Sequence, residues 1–158
     1  MRTALIGIGN EFRGDDGVGV HILRRLRRRT LPETIAFIEE SGEGAALMEH
    51  WQKYDAVFVC DAVKSGTHPP GTIFHFNAVQ ETIPSQFFHY STHEFSLAEA
   101  VELSRTLNTL PEHLIIYGIE GKQFQYGRSL SPEVESILPE VINRILQELS
   151  RYPSGLII

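Results

Sequence analysis

Four short apolar runs alternate along the chain with stretches of helical periodicity. The runs cover residues 3–8, 34–39, 55–61 and 113–119, and they are rich in branched and aromatic side chains with few polar interruptions. Strands that are buried on both faces of a sheet have this pattern. The pattern therefore predicts a mostly parallel β-sheet.

The segments between these runs predict helices and one additional strand. Residues 44–54 have the composition of a crossover helix between the second and third strands. Residues 69–76 begin with a turn signal and then alternate, which predicts an edge strand. Near the end, Ser131 and Pro132 form a start signal before a long apolar stripe, and Pro139 either kinks that helix or marks its true beginning.

The alternation of strands and helices predicts an α/β fold. We expect a three-layer α/β/α sandwich around a mostly parallel twisted sheet, with an added edge strand. The chain has 158 residues and shows no repeat, linker or break in composition. Residues 1–158 are therefore expected to form a single domain.

Composition narrows the class of protein. The chain carries 14 Lys and Arg against 20 Asp and Glu, a formal net charge of -6, which argues against a nucleic-acid binder. No apolar run approaches the ~20 residues that span a bilayer, and the amino terminus lacks the features of a signal peptide. We expect a cytoplasmic protein without membrane contact, as a monomer or a weak oligomer. The single cysteine, Cys60, excludes an internal disulfide framework.

Acidic and amide side chains follow the end of every long strand that the pattern predicts. In chain order they are Asn10, Asp15, Asp16, Glu39, Glu40, Asp61 and Glu120. The carboxyl ends of parallel strands share one edge of the sheet, where ligands bind in such folds. Like charges at one edge destabilise the fold unless a cation compensates them, so the set predicts a cation site. The alternative that individual side chains point into water stays open.

The first of these groups lies in the glycine-rich segment "GIGNEFRGDDGVG", residues 7–19. A dinucleotide fingerprint requires glycine where Phe12 stands, and a phosphate loop requires lysine and a hydroxyl residue where Asp15 and Asp16 stand. Both nucleotide interpretations therefore fail. One aspartate suffices to cap the following helix, which leaves the other as a candidate metal ligand.

A second candidate element is "STHEFSLAEAVEL", residues 91–103. Ser96 and Glu99 form a capping box, which predicts a helix start at Leu97 and places His93 in the preceding loop. Two carboxylates and one imidazole suit a borderline divalent ion such as nickel, zinc or manganese. A surface or hydrogen-bonding role for His93 remains the alternative.

Taken together, the motifs resemble one family. Residues 7–19, "VCDAVKSG" at 59–66, "PPGT" at 69–72 and "STHEF" at 91–95 look like the successive motifs of the nickel-iron hydrogenase maturation endopeptidases. The similarity covers nearly the whole chain. Separated motifs in the same order are far more specific than any one of them.

The resemblance implies a metal-guided reaction. It implies that Asp16, Asp61 and His93 bind the nickel already present in the hydrogenase large-subunit precursor, and that the enzyme then removes the carboxyl-terminal extension of that subunit. The nickel belongs to the precursor, so no permanently bound cofactor is expected. The precursor presents a basic residue near its cut site in this family, so an acidic rim would hold it. The candidate substrate-binding residues are Asn10, Glu43 and Glu120.

The mechanism and two departures from the family leave alternatives open. The family commonly has glutamate at the position of Asp16, and aspartate-glycine-glycine-threonine where this chain has "EESGEG" at 39–44. No serine or cysteine lies in a nucleophile motif, and Cys60 is expected in the core. Water is the expected nucleophile, with Asp16 or Glu40 as general base. The alternatives are a noncatalytic nickel-binding protein that checks hydrogenase assembly, and a metallohydrolase with its own metal.

Overall fold

The structure is a computed structural model that describes residues 1–88 and 95–152. Its strands are β1 (Thr3–Ile8), β2 (Ile35–Glu40), β3 (Ala56–Val63), β4 (Ile73–Asn77) and β5 (His113–Glu120). Its α-helices are α1 (Val18–Arg27), α2 (Gly44–Trp51), α3 (Leu97–Leu107) and α4 (Pro132–Leu149). Two short 3-10 helices cover Gly14–Gly17 and Ser85–Phe88.

The strands form one sheet in the order β2-β1-β3-β5-β4. β2, β1, β3 and β5 run parallel, and β4 pairs antiparallel with β5 at the edge. The prediction of a mostly parallel sheet with an added edge strand is confirmed. The carboxyl ends of the four parallel strands therefore meet at one edge, called here the acidic edge because of the Asp and Glu residues near those ends.

The core lies on both faces of the sheet, which makes the three layers. Alternate residues of β3 pack on opposite sides, Phe58 and Cys60 with α1 and α4, and Val57 and Val59 with α2 and α3. Val57 and Val59 are fully buried, as the apolar run predicted. Cys60 is also in the core, as expected, and burial raises the pKa of its thiol to about 12.

Three element boundaries differ from the predictions. β3 continues two residues beyond Asp61 to Val63, because the strand keeps its pairing with β5 as far as Glu120. α2 ends at Trp51. Pro139 lies inside the uninterrupted helix α4, so it does not mark the beginning of that helix, which starts after the Ser131 cap.

Close packing of α1 against the sheet brings the β1–α1 turn to the acidic edge. A Cβ added to Gly19 would lie 2.2 Å from the Cys60 carbonyl oxygen, and one added to Gly7 would lie 2.5 Å from the Gly19 carbonyl oxygen. Glycine at both positions therefore lets the start of α1 lie directly on β1 and β3.

Within the described residues, no helix is both long and apolar enough to cross a membrane.

Candidate active site at the acidic edge

The two adjacent aspartates lie in the 3-10 helix between β1 and α1. The prediction that one of them caps the following helix is wrong. α1 begins only after this extra turn, so its N-cap is Gly17, and the N-cap of the 3-10 helix is Arg13. No side chain caps either helix start by a hydrogen bond. Both aspartates are free of a capping role.

Asp15 is fully buried and binds the loop between β5 and α4, residues 121–131. Its Oδ2 accepts hydrogen bonds from Lys122 N at 2.7 Å, Gln123 N at 3.0 Å and Ser131 Oγ at 2.9 Å. Its Oδ1 accepts one from Ser131 N at 2.7 Å. A buried carboxylate is tolerated when donors surround it in this way. Asp15 therefore has a structural role that the sequence motif alone did not predict.

Asp16 is also buried, at 7% exposure, but it has far fewer donors. Its Oδ2 accepts a hydrogen bond from Asn10 N at 2.9 Å. Its Oδ1 accepts none from the residues that the structure describes. The Asn10 side chain in turn accepts from Phe12 N at 2.9 Å and shapes the turn. Asp16 is thus oriented by its own loop through a single oxygen.

Asp61 lies near the end of the neighbouring central strand. It is 4% exposed, and its Oδ1 accepts a hydrogen bond from Ala62 N at 2.8 Å. Because side chains alternate along a strand, Asp61 lies on the face of Val59 and Val63, towards α2 and α3. The 3-10 helix that carries Asp16 packs against β3. The structure therefore brings the loop of Asp16 and the strand of Asp61 to the same edge.

His93 lies outside the described residues. Phe95 is the first described residue after His93. Its carbonyl oxygen accepts a hydrogen bond at 2.8 Å from the N–H of Gly44, which begins α2 shortly after the end of β2. Ser96 donates to Glu99 Oε1 from its N at 3.0 Å and from its Oγ at 2.6 Å. The predicted capping box and helix start are confirmed. The chain therefore enters α3 at the acidic edge.

The acidic residues at the end of β2 are engaged by basic partners. Glu40 Oε2 lies 2.7 Å from His50 Nε2. The Arg24 guanidinium lies between Glu39 and Glu11, at 3.0 and 2.7 Å. Its hydrogen bonds lower the pKa of both of these carboxyl groups. Arg24 thus compensates the negative charges of Glu39 and Glu11 within the chain.

Glu120 and Glu43 are also engaged by nearby donors. Glu120, at the end of β5, is 3% exposed and accepts from Ser65 Oγ at 2.5 Å and Ser65 N at 3.1 Å. Glu43 caps α2 by accepting from Ala45 N at 3.0 Å and Ala46 N at 2.9 Å. Sequence reasoning missed Ser65, which lies in the quoted motif at 59–66 but has its partner on β5. A direct contact of either glutamate with substrate stays a prediction.

A cleft of about 290 Å³ opens between the β1–α1 turn and the end of β2. It is lined by Gly9, Asn10, Glu11, Phe12, Val20, Glu39, Glu40 and Ser41. Two of the candidate site residues, Asn10 and Glu40, are among them. Within residues 1–88 and 95–152, no group of three His, Cys, Asp or Glu side chains could hold a metal ion.

The fold is shared with solved peptidases. The hydrogenase maturating endopeptidase HybD from Escherichia coli superposes with a TM-score of 0.83 at 25% identity, covering 98% of this chain and 94% of that one. The Hydrogenase 2 maturation protease of Escherichia coli (strain K12) is 26% identical over 151 residues, which is 94% of this chain and 91% of the relative. The architecture is that of an α/β endopeptidase.

The family assignment follows from two further matches. The hydrogenase expression/formation protein HupD of Thiocapsa roseopersicina is 27% identical over 153 residues, covering 94% of this chain and 67% of the relative. The HycI family profile, described as hydrogenase maturation protease, matches residues 20–148. The chain therefore belongs to the hydrogenase maturation protease family, and it is a peptidase.

Proposed function

We propose that this peptidase removes the carboxyl-terminal extension of a nickel-iron hydrogenase large-subunit precursor after nickel insertion. It recognises the precursor's nickel with Asp16, Asp61 and His93. The observation that carries the proposal is a pair of buried carboxylates, Asp16 in the 3-10 helix that follows β1 and Asp61 near the end of β3. Asp16 Oδ1 accepts no hydrogen bond from the described residues. The names of the relatives, which are hydrogenase maturation proteases, support the substrate class.

The three proposed ligands have a chemistry that suits the metal. Oxygen and imidazole nitrogen are both accepted by borderline divalent ions such as nickel. The Asn10 N–H orients the Asp16 carboxylate from one side, so its other oxygen can face the ion. Asp61 lies on the face of β3 towards α3, and α3 begins at Leu97, four residues after His93. No metal needs to reside in the enzyme, because the substrate brings it.

Glu40 is the better candidate for the general base. A carboxylate that binds a metal ion loses basicity, which argues against the same role for Asp16. Glu40 lines the cleft and is oriented by His50 at 2.7 Å, an arrangement of base and orienting partner. Glu40 would take a proton from the attacking water as the water oxygen bonds to the scissile carbonyl carbon. The same proton passes to the leaving amine when the C–N bond breaks.

The other candidate residues are proposed to shape the substrate site. Asn10 holds Asp16 through its N–H, and Glu43 fixes the start of α2. Glu120 holds the loop at Ser65 and contributes negative charge at the acidic edge. A basic side chain of the precursor would be attracted to this edge, since the field of clustered carboxylates extends beyond direct contact.

The proposal is tested by incubating the protein with nickel-loaded and nickel-free forms of a large-subunit precursor. Intact mass spectrometry is expected to show loss of a carboxyl-terminal peptide from the loaded form alone. Cleavage of both forms would remove nickel recognition from the proposal. Stable binding without cleavage of either form would support the noncatalytic assembly-checking alternative instead.

His93→Ala tests the third ligand. The variant is expected to stay folded and lose processing, because the capping box at Ser96 starts α3 without it. Metal ligation requires neutral imidazole, so wild-type affinity should fall as the pH drops below histidine's ordinary pKa of about 6.5. Precursor binding and cleavage are measured between about pH 5 and 8, with His113→Ala as the control at the opposite edge of the sheet. Equal cleavage by His93→Ala and wild type would assign His93 a structural role.

A further inference from the structure

The two most exposed large apolar side chains of the described residues both lie at the acidic edge. Phe12 is 68% exposed and Tyr126 is 73% exposed, and the next, Leu107 on α3, is 56% exposed. Single exposed apolar side chains are normal on protein surfaces. Two aromatic rings on loops that are bound to each other need a further explanation.

The backbone holds these two aromatic residues side by side. Gly127 N donates a hydrogen bond to the Phe12 carbonyl oxygen at 2.9 Å. Because Gly127 directly follows Tyr126, this hydrogen bond joins the two loops at the aromatic residues. The Arg13 guanidinium lies 5.3 Å from the centroid of the Tyr126 ring. The Asp15 carboxylate binds both ends of the same loop. The backbone segments that carry the two aromatic side chains are therefore held together before any partner binds, which reduces the entropy lost on binding.

Phe12 also belongs to the wall of the cleft. It lines the cleft of about 290 Å³ together with Asn10 and the proposed base Glu40. The aromatic surface and the cleft are thus continuous through a single side chain. Because the protein is a peptidase, the occupant of a surface continuous with its proposed site is a polypeptide. Aromatic residues of this kind are enriched where proteins bind one another.

We propose that Phe12 and Tyr126 form an aromatic docking surface for the polypeptide substrate, which binds an apolar side chain close to the cleaved bond. This inference rests on the proposed function, since it takes the hydrogenase precursor as that polypeptide. The surface supplies affinity, and the carboxylates of the acidic edge supply the chemistry. The aromatic docking surface therefore contributes to the formation of the enzyme–substrate complex.

The test uses Phe12→Ala and Tyr126→Ala in cleavage of the nickel-loaded precursor. Each variant is expected to raise KM and the precursor Kd about tenfold, with kcat within about twofold of wild type, as for a central interface residue. Phe12→Tyr and Tyr126→Phe are expected to retain most of the affinity. Leu107→Ala, which removes an exposed apolar side chain on α3, is the matched control and should leave KM unchanged. Thermal unfolding checks that every variant is folded.

The outcomes separate this inference from the proposed function. If wild type neither binds nor cleaves the precursor, the proposed function and this partner both fail. If wild type cleaves it and both alanine variants keep the wild-type KM, only the docking surface is wrong. A fall in kcat at constant KM would also overturn the docking role. Loss of self-association at constant KM would assign the surface to contacts between copies of this chain instead.

Discussion

The carboxylates of the acidic edge fall into two groups that look alike in sequence. The inner pair is Asp16, in the 3-10 helix that follows β1, and Asp61, on the neighbouring strand β3. The flanking pair, Glu40 and Glu120, belongs to β2 and β5 on either side. The flanking pair has side-chain partners on neighbouring segments, His50 and Ser65. Asp16 and Asp61 accept hydrogen bonds from backbone N–H groups close by in sequence, Asn10 N and Ala62 N.

This difference indicates how one acidic edge can be both stable and functional. The flanking carboxylates connect β2 and β5 to adjacent segments, so their negative charges meet donors within the protein. Backbone donors orient the Asp16 and Asp61 carboxylates. Under the proposed function, a cation brought by the substrate binds between these two carboxylates. The acidic edge therefore combines carboxylates that accept hydrogen bonds from side chains of other segments with carboxylates that are proposed to bind a ligand.

Adjacent residues within the turn show the same contrast. Asp15 accepts four hydrogen bonds from the β5–α4 loop, whereas Asp16 accepts one from its own loop. A 3-10 helix has three residues per turn, so successive side chains point about 120° apart. The helical geometry therefore directs one aspartate into the protein and lets the other lie at the proposed site.

The largest effect is expected from the inner pair. Asp16→Asn and Asp61→Asn keep the shape of the side chain but remove the charge, and each should lower precursor processing more than about 100-fold. Loss of a residue that only hydrogen-bonds to a metal ligand lowers affinity or activity about 10- to 100-fold. Loss of the metal ligand itself should have a larger effect. Processing is measured as the initial rate of mass loss. Asp55→Asn, just before β3 at the opposite edge, is the matched control and should process normally.

The structural aspartate should affect stability instead. Asp15→Asn should lower the free energy of unfolding by about 2–3 kcal/mol, because a charged acceptor of several hydrogen bonds is replaced by a neutral one that also brings an amide group. Urea unfolding measures the change, with the exposed Glu112→Gln as control. A change below about 0.5 kcal/mol, within the usual range for surface substitutions, would contradict the structural role.

A buried carboxylate away from the site extends the comparison to the pH dependence of stability. Glu148 accepts hydrogen bonds from Tyr117 Oη at 2.5 Å and from His75 Nε2 at 3.0 Å. Burial, and next the hydrogen bond to Glu148, raise the pKa of Tyr117 above its ordinary value. A group whose pKa is higher in the folded state stabilises the protein fully below its unfolded pKa, and that stability is lost as the pH rises.

Wild type should therefore lose stability above about pH 10, the ordinary pKa of tyrosine. Tyr117→Phe removes this alkaline component and should lower the free energy of unfolding at neutral pH by about 1–2 kcal/mol, because Glu148 loses a donor. Urea unfolding between pH 7 and about pH 11 measures both effects. Parallel stability profiles of wild type and variant above pH 10 would show that Tyr117 does not contribute to the pH dependence.

The smallest effect is expected from Glu120, the flanking carboxylate that has no proposed role in the proton transfer. Glu120→Gln can still accept the Ser65 hydrogen bonds, so the free energy of unfolding should change by less than about 1 kcal/mol. Loss of one charge at the acidic edge should raise the KM for the precursor about two- to fivefold at low salt, and less at high salt. Processing kinetics that equal those of wild type at every salt concentration would separate Glu120 from substrate binding.

The parts of this structure that could be predicted depend on neighbours in sequence. The strands follow from unbroken apolar runs, and the start of α3 follows from Ser96 and Glu99, which are three residues apart. The carboxyl end of β3 was misplaced at Asp61 because a charged residue usually ends a buried strand. In this protein the pairing with β5 continues past it to Val63.

The sequence by itself determined the fold class, the family resemblance and the set of acidic residues at one edge of the sheet. Only the tertiary structure assigned roles within that set. The donors to Asp15 are 107 to 116 residues away along the chain, and the donor to Glu120 is 55 residues away. A hydrogen bond depends on distances of about 3 Å between groups that only folding brings together. Residue type and spacing therefore identify the carboxylates, and the tertiary structure determines which of them accept hydrogen bonds from distant parts of the chain.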